Sequence, residues 1–208
     1  MQHILNKYIS PELILNAYYQ GFFPMADERE EIGFYAFESR GVIPLDGRFT
    51  VRRSLQQVVK KKDYIVTFDR APLEVVRACS RKGAVPSHER WLNDELIEHI
   101  MALFEMGWVH TVEVWRYTTP GAEALSLIGG LYGLTFGAAF CGESMFSNKS
   151  FGSQIALVHL VEHLRNRGFR LLDAQMPSDH LKQFGLYECK QADFLTLFHE
   201  AASIEACF

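Results

Sequence analysis

Between Ala124 and Gly142 the chain runs nineteen residues without a charge, and five of them are glycine. So apolar a stretch must be buried, because each Å² of apolar surface left in water costs roughly 25 cal/mol. Its length approaches that of a membrane helix, but the glycines and the polar Ser126, Tyr132 and Thr135 favour strands crossing a protein core. The neighbouring pattern agrees. Val109 to Tyr117 alternates apolar and polar residues, Leu125 to Phe136 and Ala138 to Cys141 are rich in β-formers, and Thr118 to Glu123 makes an exposed connection. Three adjacent antiparallel strands are expected. Ser153 then caps an amphipathic helix with Leu157, Leu160, Val161 and Leu164 on one stripe. Gly168 ends it, and Phe169 to Gln175 supplies another strand. The order β-β-β-α-β suits an acetyltransferase-like (GNAT-like) α/β (α+β) domain with a mixed sheet.

The N-terminal half reads differently. Ser10-Pro11-Glu12 gives a helix an N-cap, a proline at its first position and an acidic first turn, and Gly21 closes it. Gly33 to Gly47 reads as loop and short strand. Helical stretches follow at Ser54 to Lys62 and Pro72 to Arg81, with a strand at Tyr64 to Phe68 between them. Asn93 or Asp94 caps a further helix that Gly107 stops. A boundary near Glu89 to Trp91 divides the chain into a small N-terminal domain, 1–90, and an acetyltransferase-like C-terminal domain, 91–208.

At 208 residues and 48% hydrophobic, the chain can bury a core without staples. Cys79, Cys141, Cys189 and Cys207 form no C-x-x-C pair, and Met1 to Ser10 is no secretory leader, so a reduced, cytoplasmic, metal-free protein that does not enter a membrane is expected. The net charge is only −4, yet Arg48 to Lys82 holds ten basic residues against three acidic ones, a local +7 against −11 elsewhere. Local potential steers ligands within a Debye length of roughly 8–10 Å, so this segment is suited to phosphates.

Chemistry is expected at three places. Cys141 to Ser147 puts the carboxylate of Glu143 directly after a long apolar strand, where a charge needs a partner or a purpose. It reads equally as an ion-pair member or as a carboxylate at the mouth of an apolar pocket. In Leu172-Asp173-Ala174-Gln175, residues two apart on a strand share a face, so Asp173 and Gln175 converge and could accept a proton from, and orient, an attacking amine. Taken alone, the pair reads better as a buried, hydrogen-bonded strand end. Asn148 to Ser153 enters a helix N-terminus, a weak anion signal. Arg90-Trp91 and Phe34, Tyr35 and Phe37 before Arg40 could stack single-stranded bases, though such aromatics are more often core.

At these residues the chain resembles the leucyl/phenylalanyl-tRNA-protein transferase family. The blocks that carry the likeness are Ala17 to Pro24, His110 to Trp115, Gly129 to Gly133, Phe140 to Ser147, and Leu172 to Gln175 followed by Asp179-His180. The Cys-Gly-Glu-Ser-Met-Phe-Ser block is the most specific. The resemblance implies an enzyme of the bacterial N-degron pathway that uses no metal, cofactor or acyl-CoA. It would move leucine or phenylalanine, with methionine as a minor donor, from aminoacyl-tRNA to proteins beginning with Arg or Lys. By that likeness Asp173 and Gln175 are the proton-relay pair, with Gln175 orienting the amine and Asp173 an electrostatic or base element, and Glu143 contacts substrate. Leu131, Phe140, Met145, Leu157, Leu160, Leu164 and Leu172 form the donor side-chain pocket. Trp91 attends the terminal adenosine, and Arg48, Arg52, Arg53, Lys60, Lys61 and Lys62 lie on the acceptor-stem surface. The chain departs from the family's Trp-Trp-Ser-Pro-Asp-Pro-Arg in having Phe34 to Arg40, and Met25 replaces a tryptophan. Residues Tyr117 to Ser126 exceed the usual hairpin, and Ile100 stands where some members carry tyrosine.

Two other readings stay open. An acyl-CoA-dependent N-acyltransferase of the same fold would use the loop before Ser153, but that loop lacks the Gln/Arg-x-x-Gly-x-Gly/Ala pyrophosphate signature. A noncatalytic tRNA-binding module would explain the basic segment but has no need of Glu143, Asp173 and Gln175 together.

Overall fold

The computed structural model describes residues 2–5, 9–27, 29, 31–80, 91–118 and 124–208. Strands β1 (Gln2–Leu5), β2 (Phe23–Ala26) and β3 (Ile32–Ala36) form a small antiparallel sheet in the order β1-β3-β2. Helix α1 (Pro11–Tyr19) packs beside it, and the Ser10 side chain accepts from Leu13 N at 3.2 Å, as the capping pattern requires. Then come β4 (Ser39–Val42), α2 (Arg53–Lys61), β5 (Ile65–Phe68), α3 (Pro72–Ser80) and α4 (Asp94–Glu105). The Asn93 side chain caps α4 through Leu96 N at 2.9 Å, and Asp94 and Glu95 complement the positive end of its dipole.

The C-terminal half gives β6 (Val109–Tyr117), β7 (Leu125–Phe136), β8 (Ala139–Ser147), α5 (Gly152–Asn166) and β9 (Leu171–Asp173). The expected β-β-β-α-β order therefore holds. Beyond residue 180, where periodicity assigned nothing, the chain adds β10 (Tyr187–Lys190) and α7 (Gln191–Ala202), after the short α6 (Asp179–Lys182). Among the described residues the main sheet has seven strands, in the order β10-β4-β9-β8-β7-β6-β5. Its β8–β9 pair is parallel, as a strand-helix-strand crossover demands, and its other pairs are antiparallel. Helices α2 and α5 cover one face, around Leu55, Ile155, Leu160 and Leu164. Helices α1, α3, α4 and α7 cover the other, around Ile14, Val76, Leu96 and Phe198. The uncharged run forms all of β7 and the start of β8, with Leu131, Leu134, Phe136 and Phe140 all buried. Among the described residues no helix is long and apolar enough to cross a membrane.

Three local expectations are corrected. The third central strand does not stop at Cys141 but continues to Ser147, carrying Glu143 inside the sheet. Helix α5 is capped by Phe151 in the left-handed region (φ +70°), while Ser153 lies in its first turn and donates its backbone N–H to Ser147 Oγ at 2.8 Å. Strand β9 ends at Asp173, two residues short of Gln175. Strands β4 and β5 precede residue 91 yet pair in the same sheet as β6 to β9, so the main sheet spans both sides of that position. Most of the Glu89-to-Trp91 boundary and the Thr118-to-Glu123 connection lie outside the described residues.

Helix α5 can lie close against β7 because two glycines meet. A Cβ placed on Gly129 would fall 2.4 Å from Gly152 Cα, a distance that backbone atoms cannot yield.

Candidate active site

The register of β7 against β8 slips at one point: Tyr132 faces Ser144, but Gly133 faces Gly142. Glu143 is thus the extra residue of a β-bulge, a device that breaks the in-out alternation and re-aims a side chain. Its Oε1 accepts two hydrogen bonds, from Tyr18 Oη at 2.5 Å and from Gln175 Nε2 at 2.6 Å. Burial pushes the Glu143 carboxyl up to about 8, and the negative charge of Asp173 adds to the rise, while the two donors and Arg40 pull the other way. At neutral pH the group is therefore mostly protonated.

Asp173, fully buried at the end of β9, spends both oxygens inside the protein. One forms an ion pair with Arg40 Nη2 and the other accepts the backbone N–H of Gln175 at 2.8 Å. Gln175 adopts φ +55°, a left-handed conformation that a non-glycine residue keeps only when its surroundings enforce it. Asp173 and Gln175 thus meet through a tight turn, not by sharing a strand face. The turn swings the Gln175 amide onto Glu143.

Beside these groups lies a cavity of about 340 Å³, at the small end of ligand-pocket sizes. Leu131, Met145, Leu157, Leu160 and Leu172 line it with Ile43, and Glu143, Asp173, Ser178 and His180 supply its polar wall. Five of the seven expected pocket residues are therefore brought together. Phe140 and Leu164 are not lining residues: both are fully buried in the core behind, where Phe140 stacks on Phe208 with centroids 5.6 Å apart.

Arg48, Arg52, Arg53, Lys60, Lys61 and Lys62 are all exposed on or near α2. Arg48 is bound to Asp46, and Arg52 reaches Gln154 at 3.3 Å and lies over the Phe151 ring, so the basic stretch borders the start of α5. Trp91 is half-buried, its carbonyl accepting from Ala26 N at 2.7 Å, and it does not line the cavity. The aromatic segment before Arg40 is core: Phe34 and Tyr35 are buried, and Phe37 stacks on Phe23 at 5.7 Å. Arg40 itself is buried between the Phe23 and Phe194 rings, 5.1 and 4.3 Å from their centroids, and presents no surface to stack a base.

Sequence assigned no role in this site to Tyr18 or to Arg40, the latter read only beside base-stacking aromatics, nor to the lining residues Ile43, Ser178 and His180. Tyr18 lies within the Ala17-to-Pro24 block and Arg40 closes the Phe34-to-Arg40 segment, so their positions were marked while their partners, 125 and 133 residues away, were not.

Comparison with known proteins identifies the family. The family model described as leucyl/phenylalanyl-tRNA protein transferase matches residues 42–199, and that of its N-terminal domain matches residues 8–36. The leucyl/phenylalanyl-tRNA–protein transferase of Paramagnetospirillum magneticum is 43% identical over 202 residues, covering 96% of this chain and 92% of the relative. That of Akkermansia muciniphila is 42% identical over 198 residues, covering 95% and 98%. Among solved structures, FemX superimposes with a TM-score of 0.53 at 12% identity, over 74% of this chain and 60% of FemX, and so shares the fold. The chain belongs to the leucyl/phenylalanyl-tRNA protein transferase family.

Proposed function

We propose that this aminoacyltransferase moves leucine or phenylalanine, with methionine as a minor donor, from aminoacyl-tRNA to the α-amine of proteins beginning with Arg or Lys, in the cytoplasm. The observation that carries the reading is the pairing of a small leucine-lined cavity with the carboxyl of Glu143 in its polar wall, held there by the Gln175 amide. The cavity suits one unbranched-at-Cβ apolar side chain. Its selectivity is limited, because one methylene in an apolar pocket is worth only ~1–3 kcal/mol, which is why methionine is admitted.

In the proposed reaction the acceptor nitrogen attacks the ester carbonyl. A C–N bond forms, the C–O bond to the terminal ribose breaks, the amine gives up a proton and the ribose oxygen takes one. The ester is already activated, so alignment supplies much of the rate. Gln175 and Glu143 orient the amine. The Glu143 carboxyl at about 8 is matched to an ordinary α-amine near 8, so a proton passes between them almost without cost. Asp173 has neither oxygen unoccupied and contributes charge and position.

The division at residue 90 is read as one of labour. The segment before it offers the basic surface, and the segment after it carries the pocket lining apart from Ile43. Arg48, Arg52, Arg53, Lys60, Lys61 and Lys62 would hold acceptor-stem phosphates, and Trp91 the terminal adenosine. Changing Lys60, Lys61 and Lys62 together to Ala should flatten the dependence of log affinity on log salt by about 2 to 3, the share of three phosphate contacts. Filter binding from 50 to 200 mM salt reads this slope. An unchanged slope would remove these lysines from the interface.

The test of the whole reading is transfer of radiolabelled leucine or phenylalanine from charged tRNA to peptides beginning with Arg, Lys, Asp or Ala. Label on the Arg and Lys peptides alone is expected. Binding of charged tRNA without labelling would favour a noncatalytic module, and no binding would redirect the search to acyl-CoA donors.

A further inference from the structure

We infer that Arg40 is a positioning residue for the transfer reaction, acting through Asp173 and Gln175 on Glu143; the inference rests on the function proposed above. Its guanidinium is 1% exposed and forks in two directions. Nη1 donates to the Gly21 carbonyl at 3.2 Å, just past the end of α1, and Nη2 pairs with Asp173 at the end of β9. The guanidinium lies over the rings of both Phe194 and Phe23, which fix the plane of the fork.

From there the geometry continues without a gap. Asp173, anchored by Arg40, holds the N–H of Gln175 and so stabilises its left-handed backbone. That backbone delivers the Gln175 amide to Glu143 Oε1. The Gly21 contact ties the same clamp to α1, whose Tyr18 donates to the same oxygen. One buried cation thus sets the direction of both donors that hold the carboxylate at the cavity wall. An ion pair placed here only for stability would be a poor choice, since a well-packed apolar pair often serves as well or better.

The groups facing Glu143 are Tyr18 from α1, Tyr132 from β7, Cys141 from β8, Arg40 from β4, and Asp173 with Gln175 from the end of β9; His180 shares the cavity wall. Of these, Arg40 and Asp173 act on it with opposite sign: the cation favours its ionised form and the anion opposes it. That opposition separates positioning from mere structure.

The experiment compares wild type, Arg40→Gln, Arg40→Lys, Asp173→Asn and the double variant Arg40→Gln/Asp173→Asn. It measures kcat against pH with one Arg-initiated peptide, alongside affinity for charged tRNA. Arg40→Gln should lower kcat roughly 100-fold, the scale of a ~1 Å misplacement, with tRNA affinity unchanged within about twofold. Its rising limb should move to higher pH by roughly one unit, and that of Asp173→Asn to lower pH by a similar amount. Arg40→Lys, which keeps the charge but not the fork, should leave the limb in place and lose kcat. The double variant, with no unpaired buried charge, keeps the test alive if a single variant does not fold; its limb should return close to that of wild type. Folded variants with wild-type kcat, or limbs that move together or not at all, would reduce Arg40 to a structural residue. A wild-type protein that transfers nothing would overturn the functional reading instead.

Discussion

Glutamine at position 143 should lower the rate of transfer by about 100-fold or more, the range expected when a group that moves a proton in the transition state is lost. The change is nearly isosteric, and the amide oxygen can still accept from Tyr18 and Gln175, so tRNA binding and the fold should survive. Wild-type kcat should rise with pH through about 8 as Glu143 ionises. In the variant any remaining limb belongs to the acceptor amine. Stability gives a second readout. A carboxyl near 4.5 when unfolded and about 8 when folded means that the native state binds more protons between those values. Wild-type stability should therefore fall as pH rises across that window, and Glu143→Gln should remove this slope. Urea unfolding at pH 5 and pH 8 measures it. Equal slopes in the two proteins would show that Glu143 titrates normally, and wild-type transfer by the variant would remove it from the chemistry.

Substituting Gly129 by alanine should be among the most destabilising changes in the molecule. The new methyl would meet Gly152 backbone atoms at 2.3 to 2.8 Å, and neither β7 nor the start of α5 can shift without disturbing the ladder or the helix. Overpacking of side chains costs about 1–3 kcal/mol, and a backbone-on-backbone clash should reach or exceed the upper end. Because Leu157 and Leu160 ride on α5, a tilt there also opens the cavity. Gly47→Ala is the control: nothing lies within 4 Å of its added carbon, and a change within about 0.5 kcal/mol is expected. Denaturant midpoints of the two variants should differ widely, and equal midpoints would refute the close-approach argument.

Much of the fold was legible because its signals are local. Ser10 and Asn93 mark helix starts by the backbone N–H groups their side chains accept from, Gly21 and Gly107 mark helix ends by the left-handed conformation they tolerate, and β6 falls on the alternating residues that announced it. The misreadings occur where a local rule is overridden from a distance. Alternation placed Asp173 and Gln175 on one face, but the turn at Gln175 obeys a carboxylate held by an arginine far away in sequence. Apolarity suggested that the third strand stops at Cys141, whereas a bulge lets it carry Glu143 onward. Phe140 and Leu164 were as apolar as their neighbours, and no periodicity separates a pocket wall from the layer behind it. Tyr18 and Arg40 could not acquire roles from sequence because each is defined by a contact more than a hundred residues away.

The centre is stitched across the chain, with Tyr18 and Arg40 on one side of the seam and Glu143 and Asp173 on the other. Any cut in the peptide between Arg40 and Glu143 therefore leaves two pieces, neither of which owns the chemistry. Separated fragments should be inert, and activity would reappear only when they dock, which makes turnover a direct gauge of reassembly. A ribosome meets the same constraint in time. The lysine-rich α2 leaves it some 110 residues ahead of Asp173, roughly 6 to 22 s at 5–20 residues per second, so a nascent chain presents cationic surface well before it can transfer anything.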